Sequence, residues 1–205
     1  MFITFEGGEG AGKSTQIRRL AAALEALGHT VIVTREPGGT PLAEAIRALI
    51  LGPGASGDAM TQALLFAAAR REHVRALIEP ALAAGTIVLC DRFADSTRAY
   101  QGGRLPPSAL DATISLATGD LVPDVTLLLD LLPEVGLARA RGRGGDADTF
   151  ERADLAFHAE VRARFLALAK DEPGRIAVID AGKGETDVAE AIRCVVDARL
   201  ASKGT

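Results

Sequence analysis

Residues 7–14 read Gly7-Gly8-Glu9-Gly10-Ala11-Gly12-Lys13-Ser14, a glycine-rich run that closes on a lysine and a hydroxyl. The run fits the pattern G-x-x-x-x-G-K-[ST], and each residue type in it serves phosphate binding. Glycines let the backbone curl until successive N–H groups point inward at phosphate oxygens, and a helix beginning near Lys13 adds the positive end of its dipole. Lys13 brings a point charge to the outer phosphates, while the Ser14 hydroxyl can ligate a magnesium ion that bridges them. Composition sets this lysine apart: nineteen of the 23 basic residues are arginine, and Lys13 is the only lysine before Lys170. The implied donor is ATP with Mg2+, held by residues 7–14 together with Thr15.

A second anion site is readable at Asp91-Arg92, directly after the apolar run 86–90. Asp91 is placed to orient the magnesium shell, and Arg92 to hold another phosphate with its planar fork. Arg70 lies four positions after Phe66 in a helical stretch at 60–83, so a stacking ring and a second guanidinium share one face. The variable loop positions Gly8, Glu9, Gly10 and Ala11 carry no base, so charge for a phosphoryl group in flight has to come from elsewhere. Residues 139–152 (RARGRGGDADTFER) can supply it. Arg139 and Arg143 are four apart, with Arg141 between them.

The elements that position these residues follow from the apolar runs. Runs at 2–6, 30–34, 86–90, 125–130 and 175–179 have the length and character of buried parallel strands, and Ala/Leu-rich helical stretches separate them. Five strands alternating with helices give an α/β fold: a doubly wound parallel sheet with helices on both faces and ligands at the carboxyl ends of its strands. The polar residues just after those runs cluster there: the 7–14 loop, Arg35 and Glu36, Asp91 and Arg92, Asp130, and Asp180. One domain spans 1–205, with residues 139–152 as a small loop between two helices.

Several function classes are disfavoured. A net charge of -4 gives no basic field for a long nucleic acid. The chain has no asparagine, so the guanine-reading N-K-x-D signature of GTPases is absent. Cys90 and Cys194 lack metal-ligand spacing, as do His29, His73 and His158. No apolar stretch reaches bilayer length and no signal-peptide pattern opens the chain, so the expected location is the cytoplasm, away from membranes.

Taken together, these residues resemble the thymidylate kinase family of P-loop nucleoside monophosphate kinases. The matching pieces are Phe5-Glu6 with the loop through Thr15, Thr34-Arg35-Glu36-Pro37-Gly38-Gly39-Thr40, Leu65-Phe66-Ala67-Ala68 with Arg70, Asp91-Arg92-Phe93 with Ser96, Ala99, Tyr100 and Gln101, and Pro123-Asp124 leading into the strand that ends at Asp130. They run in family order over nearly the whole chain. The resemblance implies the P-loop NTPase fold, transfer of the γ-phosphoryl group of ATP to dTMP, and a homodimer formed through helices. It also implies roles. Phe66 stacks on thymine, while Arg70, Thr97 and Gln101 address the base edge. Tyr100 lies where a ribose 2'-hydroxyl would fit, Glu9 meets the 3'-hydroxyl, and Arg92 meets the 5'-phosphate, with Arg35, Glu36 and Arg47 nearby. Lys13, Asp91, Arg92 and Arg143 form the catalytic set. Residues 139–152 become a lid in which Arg139 or Arg141 supports Arg143, and the stretch at Asp180 and Ala181 falls near adenine. The chain departs from the family pattern at Asp148-Thr149-Phe150-Glu151 in the lid, at Phe93 in place of tyrosine, and at Ala69 in place of aspartate. Two other readings use the same residues: a kinase of another acceptor (dUMP, a different monophosphate or an unphosphorylated deoxynucleoside), and a regulatory module that binds nucleotide without catalysis.

Overall fold

The computed structural model describes residues 1–52, 57–142 and 153–203. Strand β1 (Phe2–Glu6) leads through the glycine-rich loop into helix α1 (Lys13–Ala26), then β2 (Val31–Arg35), α2 (Pro41–Leu51) and α3 (Ala59–His73). A π-helical turn (Val74–Ile78) and α4 (Glu79–Ala83) precede β3 (Ile87–Asp91), followed by α5 (Ala94–Gln101), α6 (Pro107–Thr118), β4 (Val125–Asp130), α7 (Pro133–Arg141), α8 (Leu155–Asp171), β5 (Ile176–Asp180) and α9 (Glu185–Lys203).

All five strands are parallel, in the order β2-β3-β1-β4-β5. Period-two alternation explains how the sheet is covered. Ile3, Phe5, Leu89, Leu127 and Leu129 pack against Ile17, Leu20 and Leu24 of α1 and Val188, Ile192 and Val196 of α9. Phe2, Val88 and Cys90 point the other way, toward Val74, Ile78, Phe93 and the α6 residues Leu110 and Ile114. Leu128 meets Tyr100 of α5 and Val161 and Phe165 of α8. The doubly wound fold expected from the sequence is the one found. Strands β2 and β3 lie on one side of β1, and β4 and β5 on the other, so the loops leaving the central strands diverge and open a crevice at their carboxyl ends.

Three strands start and end one residue later than their apolar runs, because ladder pairing continues into the polar ends. Arg35 pairs in register with Asp91, Phe5 with Asp91, and Asp130 with Asp180. Asp91 and Asp130 are therefore held by the sheet itself and not by the loops beyond it. The helical stretch expected over 60–83 is interrupted after His73. Pro80 has no N–H to give, and just before it the Glu79 N–H reaches back five residues to the Val74 carbonyl, so the turn widens to π geometry.

Candidate active site

At the head of α1 the loop closes tightly. Gly10 sits at φ 67°, and a Cβ there would collide with the Gly136 carbonyl of α7, so only glycine fits. Lys13 folds back over the loop and donates to the carbonyls of Gly7 (3.1 Å) and Gly8 (3.0 Å). Burial and the neighbouring Arg92 pull its ammonium below the usual lysine range, against the pull of Asp91, Glu9 and Glu6. Ser14 Oγ donates to Asp91 Oδ2 at 3.1 Å. Asp91 Oδ1 is buried with no hydrogen-bond partner among the described residues. A hydroxyl beside a carboxylate with a spare oxygen is a hard-oxygen pair suited to Mg2+, which binds through one or two protein oxygens and completes its shell with phosphate and water. No cluster of three or more His, Cys, Asp or Glu able to hold a metal occurs among the described residues.

Arg92 follows with φ 69°, a left-handed conformation costly for a residue with a Cβ. Its Nη2 donates to Glu9 Oε1 at 2.5 Å, its Nη1 to Gly7 O and Ser96 Oγ, and its guanidinium lies 5.0 Å over the Tyr100 ring. Tyr100 donates to the same Glu9 oxygen at 2.9 Å. Burial opposes charge on Glu9, but Arg92, Lys13 and the tyrosine hydroxyl overcome it and hold the carboxyl at about 2. Burial likewise opposes charge on Arg92, and Glu9, Tyr100, Asp91 and Glu6 together more than compensate. Behind them stands Glu6 of β1, which accepts from the N–H groups of Phe93 (2.8 Å) and Ser96 (3.2 Å) and from Ser96 Oγ (2.5 Å). Phe93 is the N-cap of α5 and supplies no side-chain cap, so the carboxyl group of Glu6 on the central strand does that work.

At the other end of the crevice, Arg70 of α3 is buried among Glu36, Phe93 and Thr97. Its Nε donates to Glu36 Oε2 at 2.7 Å, and its Nη2 to Phe93 O and Thr97 Oγ1, both at 3.0 Å. Gln101 of α5 is 1% exposed, and its Nε2 has no partner among the described residues. Phe66, Tyr100 and Gln101 line a cavity of about 450 Å³ that runs without interruption to Lys13, Ser14 and Asp91. That volume and mixed lining suit a small polar molecule with a flat ring.

The thymidylate kinase sequence model matches residues 5–192. The chain belongs to the thymidylate kinase family. Thymidylate kinase of Caulobacter vibrioides is 56% identical over 97% of both chains, and that of Magnetococcus marinus is 52% identical over 97% of this chain and 96% of its own. A crystal structure of thymidylate kinase from Ehrlichia chaffeensis, 36% identical, superposes with a TM-score of 0.79 over 96% of this chain and 98% of that one. The fold is accordingly that of a P-loop NTPase and the protein is an enzyme, a kinase.

The kinase brings together on one cavity wall nearly every site residue expected from the sequence: Glu9 through Thr15, Glu36, Phe66, Arg70, Asp91, Arg92, Thr97, Tyr100 and Gln101, with Arg35 and Arg47. Gly7 and Gly8 lie behind this wall and offer their carbonyls to Lys13. Arg139 and Arg141 are not part of it. Arg139 instead donates to the Ala181 carbonyl, in the stretch expected near adenine. Arg143 and the rest of the lid, 143–152, lie outside the described residues. Sequence reading gave no role to Glu6, Ser96, Arg18 or His73. Arg18, one turn beyond Ser14 on α1, lines the cavity; a reading of helix periodicity from Ser14 would have found it.

Proposed function

We propose that this crevice carries out phosphoryl transfer from ATP to dTMP, giving dTDP and ADP. The observation that carries this reading is the continuous cavity joining the phosphate loop to a pocket that pairs an aromatic face, Phe66, with two buried donors, Arg70 and Gln101. A thymine presents carbonyl oxygens to such donors and a flat ring to Phe66. Tyr100 and Glu9, tied by their hydrogen bond, face the sugar; the tyrosine ring fills space that a 2'-hydroxyl would need. Arg92 takes the 5'-phosphate. To do so it turns from Glu9, whose carboxylate is then released to the 3'-hydroxyl.

Transfer is in line and needs no covalent enzyme intermediate. An oxygen of the dTMP phosphate forms a bond to the γ-phosphorus as the bond to the β,γ-bridging oxygen breaks, and ADP leaves with that electron pair. The residues contribute position and charge. Lys13 leaves the loop carbonyls for the donor phosphates, whose negative charge reverses the effects that depress its ammonium. Ser14 and Asp91 would hold a Mg2+ ion, which would supply charge neutralisation to the donor phosphates. Arg92 orients the attacking phosphate, and Arg143 with Arg139 or Arg141 supplies the closing positive charge.

The working form is a homodimer. Leu42 and Leu49 of α2, Met60 and Leu64 of α3 and Leu116 of α6 are exposed on neighbouring helices, Leu116 to 80%, and a second copy of the same face would bury them. No helix among the described residues is long and apolar enough to cross a membrane. The site of action is the cytoplasm, and the partners are ATP and dTMP. Radiolabelled ATP with dTMP and Mg2+ tests the reaction: labelled dTDP is expected, and labelled product from other acceptors alone would overturn the assignment.

A further inference from the structure

His73 is fully buried at the end of α3, and its ring bridges Thr34 of β2 and Glu36 just beyond that strand. Nε2 lies 2.7 Å from Thr34 Oγ1, and Nδ1 lies 3.1 Å from Glu36 Oε1. A carboxylate oxygen accepts, so the tautomer that satisfies both contacts carries its proton on Nδ1 and accepts from the threonine hydroxyl at Nε2. One proton thus satisfies both contacts. The backbone closes over the ring as well: at Gly39, φ 87°, a Cβ would come within 2.5 Å of Nε2. The other Glu36 oxygen takes Arg70 Nε, and Arg70 Nη2 spends its two protons on Phe93 O and Thr97 Oγ1. Arg70 lines the cavity, and Nη1 is the nitrogen left for a ligand. Phe66, Arg70 and His73 fall at i, i+4 and i+7, one face of one helix.

We propose that His73 is a positioning residue for the acceptor's base, which by holding Glu36 from behind fixes the plane of Arg70 so that Nη1 faces the thymine edge. Without the Nδ1 donor, Glu36 Oε1 is a buried acceptor left unmet, and the carboxylate rotates to find water or another donor. Arg70 Nε follows it, and the guanidinium leaves its plane. Glu36 itself then acts through Arg70 and does not touch the acceptor. The inference rests on the dTMP reading above and adds to it a residue that contacts no substrate.

The test compares steady-state kinetics of the full chain with His73→Asn, His73→Gln and His73→Phe. Asparagine can keep a donor near the Nδ1 position, glutamine reaches toward Nε2, and phenylalanine keeps only volume. The expected result is that His73→Phe raises KM for dTMP about tenfold or more, with kcat within about twofold and KM for ATP unchanged. His73→Asn should recover most of that loss and His73→Gln little of it. In an Arg70→Ala background the His73 substitutions should add nothing, because the residue they act through is gone. Equal changes in KM for ATP and dTMP, or full additivity with Arg70→Ala, would overturn the proposal. So would an asparagine variant no better than glutamine, a comparison that stands even if the phenylalanine variant fails to fold. If Arg70→Ala alone leaves KM for dTMP untouched, it is the base-site reading that fails, not the link through His73.

Discussion

Gln101 keeps an amide nitrogen buried beside Tyr100 with no partner among the described residues, an arrangement that costs stability unless a ligand satisfies it. Gln101→Leu keeps the volume and removes the donor. It should raise KM for dTMP by about tenfold while leaving the KM for ATP unchanged, as read by initial rates at varied acceptor. Lys13→Ala should instead reduce kcat by at least about 10³-fold if, as proposed, Lys13 meets charge that develops on the transferring phosphate; a loss confined to KM for ATP would make it a binding residue only. The contrast between these residues also explains what the sequence made legible. Lys13, Ser14 and Arg92 were readable because their chemistry lies in contiguous motifs. Glu6 and His73 were not, because their partners stand 87 to 90 and 37 to 39 positions away and only the sheet and α3 bring them together.

Among the elements, α5 matters most to the site, since it carries Ser96, Thr97, Tyr100 and Gln101, and its first turn is capped from β1 by Glu6. Burial, and then the charge of Asp95, push the Glu6 carboxyl up to about 7 against the hydrogen bonds from Ser96 and Phe93 and the charge of Arg92. The folded protein therefore holds this proton where an unfolded chain, titrating near 4.5, has lost it. The stability Glu6 contributes is present below about pH 4.5 and is lost as pH rises toward 7, a difference of about 3 kcal/mol. Glu6→Gln removes the titration, so its unfolding free energy relative to wild type should rise between pH 5 and 7 by about 2 kcal/mol, the share of that difference falling in this window, measured by urea denaturation at each pH. A constant offset would show that Glu6 does not titrate in this window. Element types were readable throughout because apolar runs and helical stretches alternate strictly. The one-residue strand offsets and the π turn before Pro80 were not, since hydrophobicity marks where a core begins, not where ladder bonds or a missing N–H redirect the backbone.

Over the whole molecule, the parallel sheet fixes the donor and acceptor ends of the crevice on one rigid edge, while α2, α3 and α6 leave apolar residues exposed on the face proposed above for a second copy. Leu64→Glu combined with Leu116→Glu should convert the dimer to monomer in sedimentation velocity, with the monomer still folded by circular dichroism. An unchanged sedimentation coefficient would place the contact elsewhere. The reaction itself is tested most directly by initial rates of ADP formation from ATP and Mg2+ with dTMP, dUMP, dCMP, dGMP, AMP and thymidine, each supplied alone. The expected result is turnover with dTMP well above every other acceptor, and the least with thymidine, which gives Arg92 no phosphate to hold. Equal or faster turnover with a different acceptor would contradict the base-site assignment of Phe66, Arg70 and Gln101, and binding of ATP and dTMP without any ADP would contradict the assignment of a kinase reaction to this crevice.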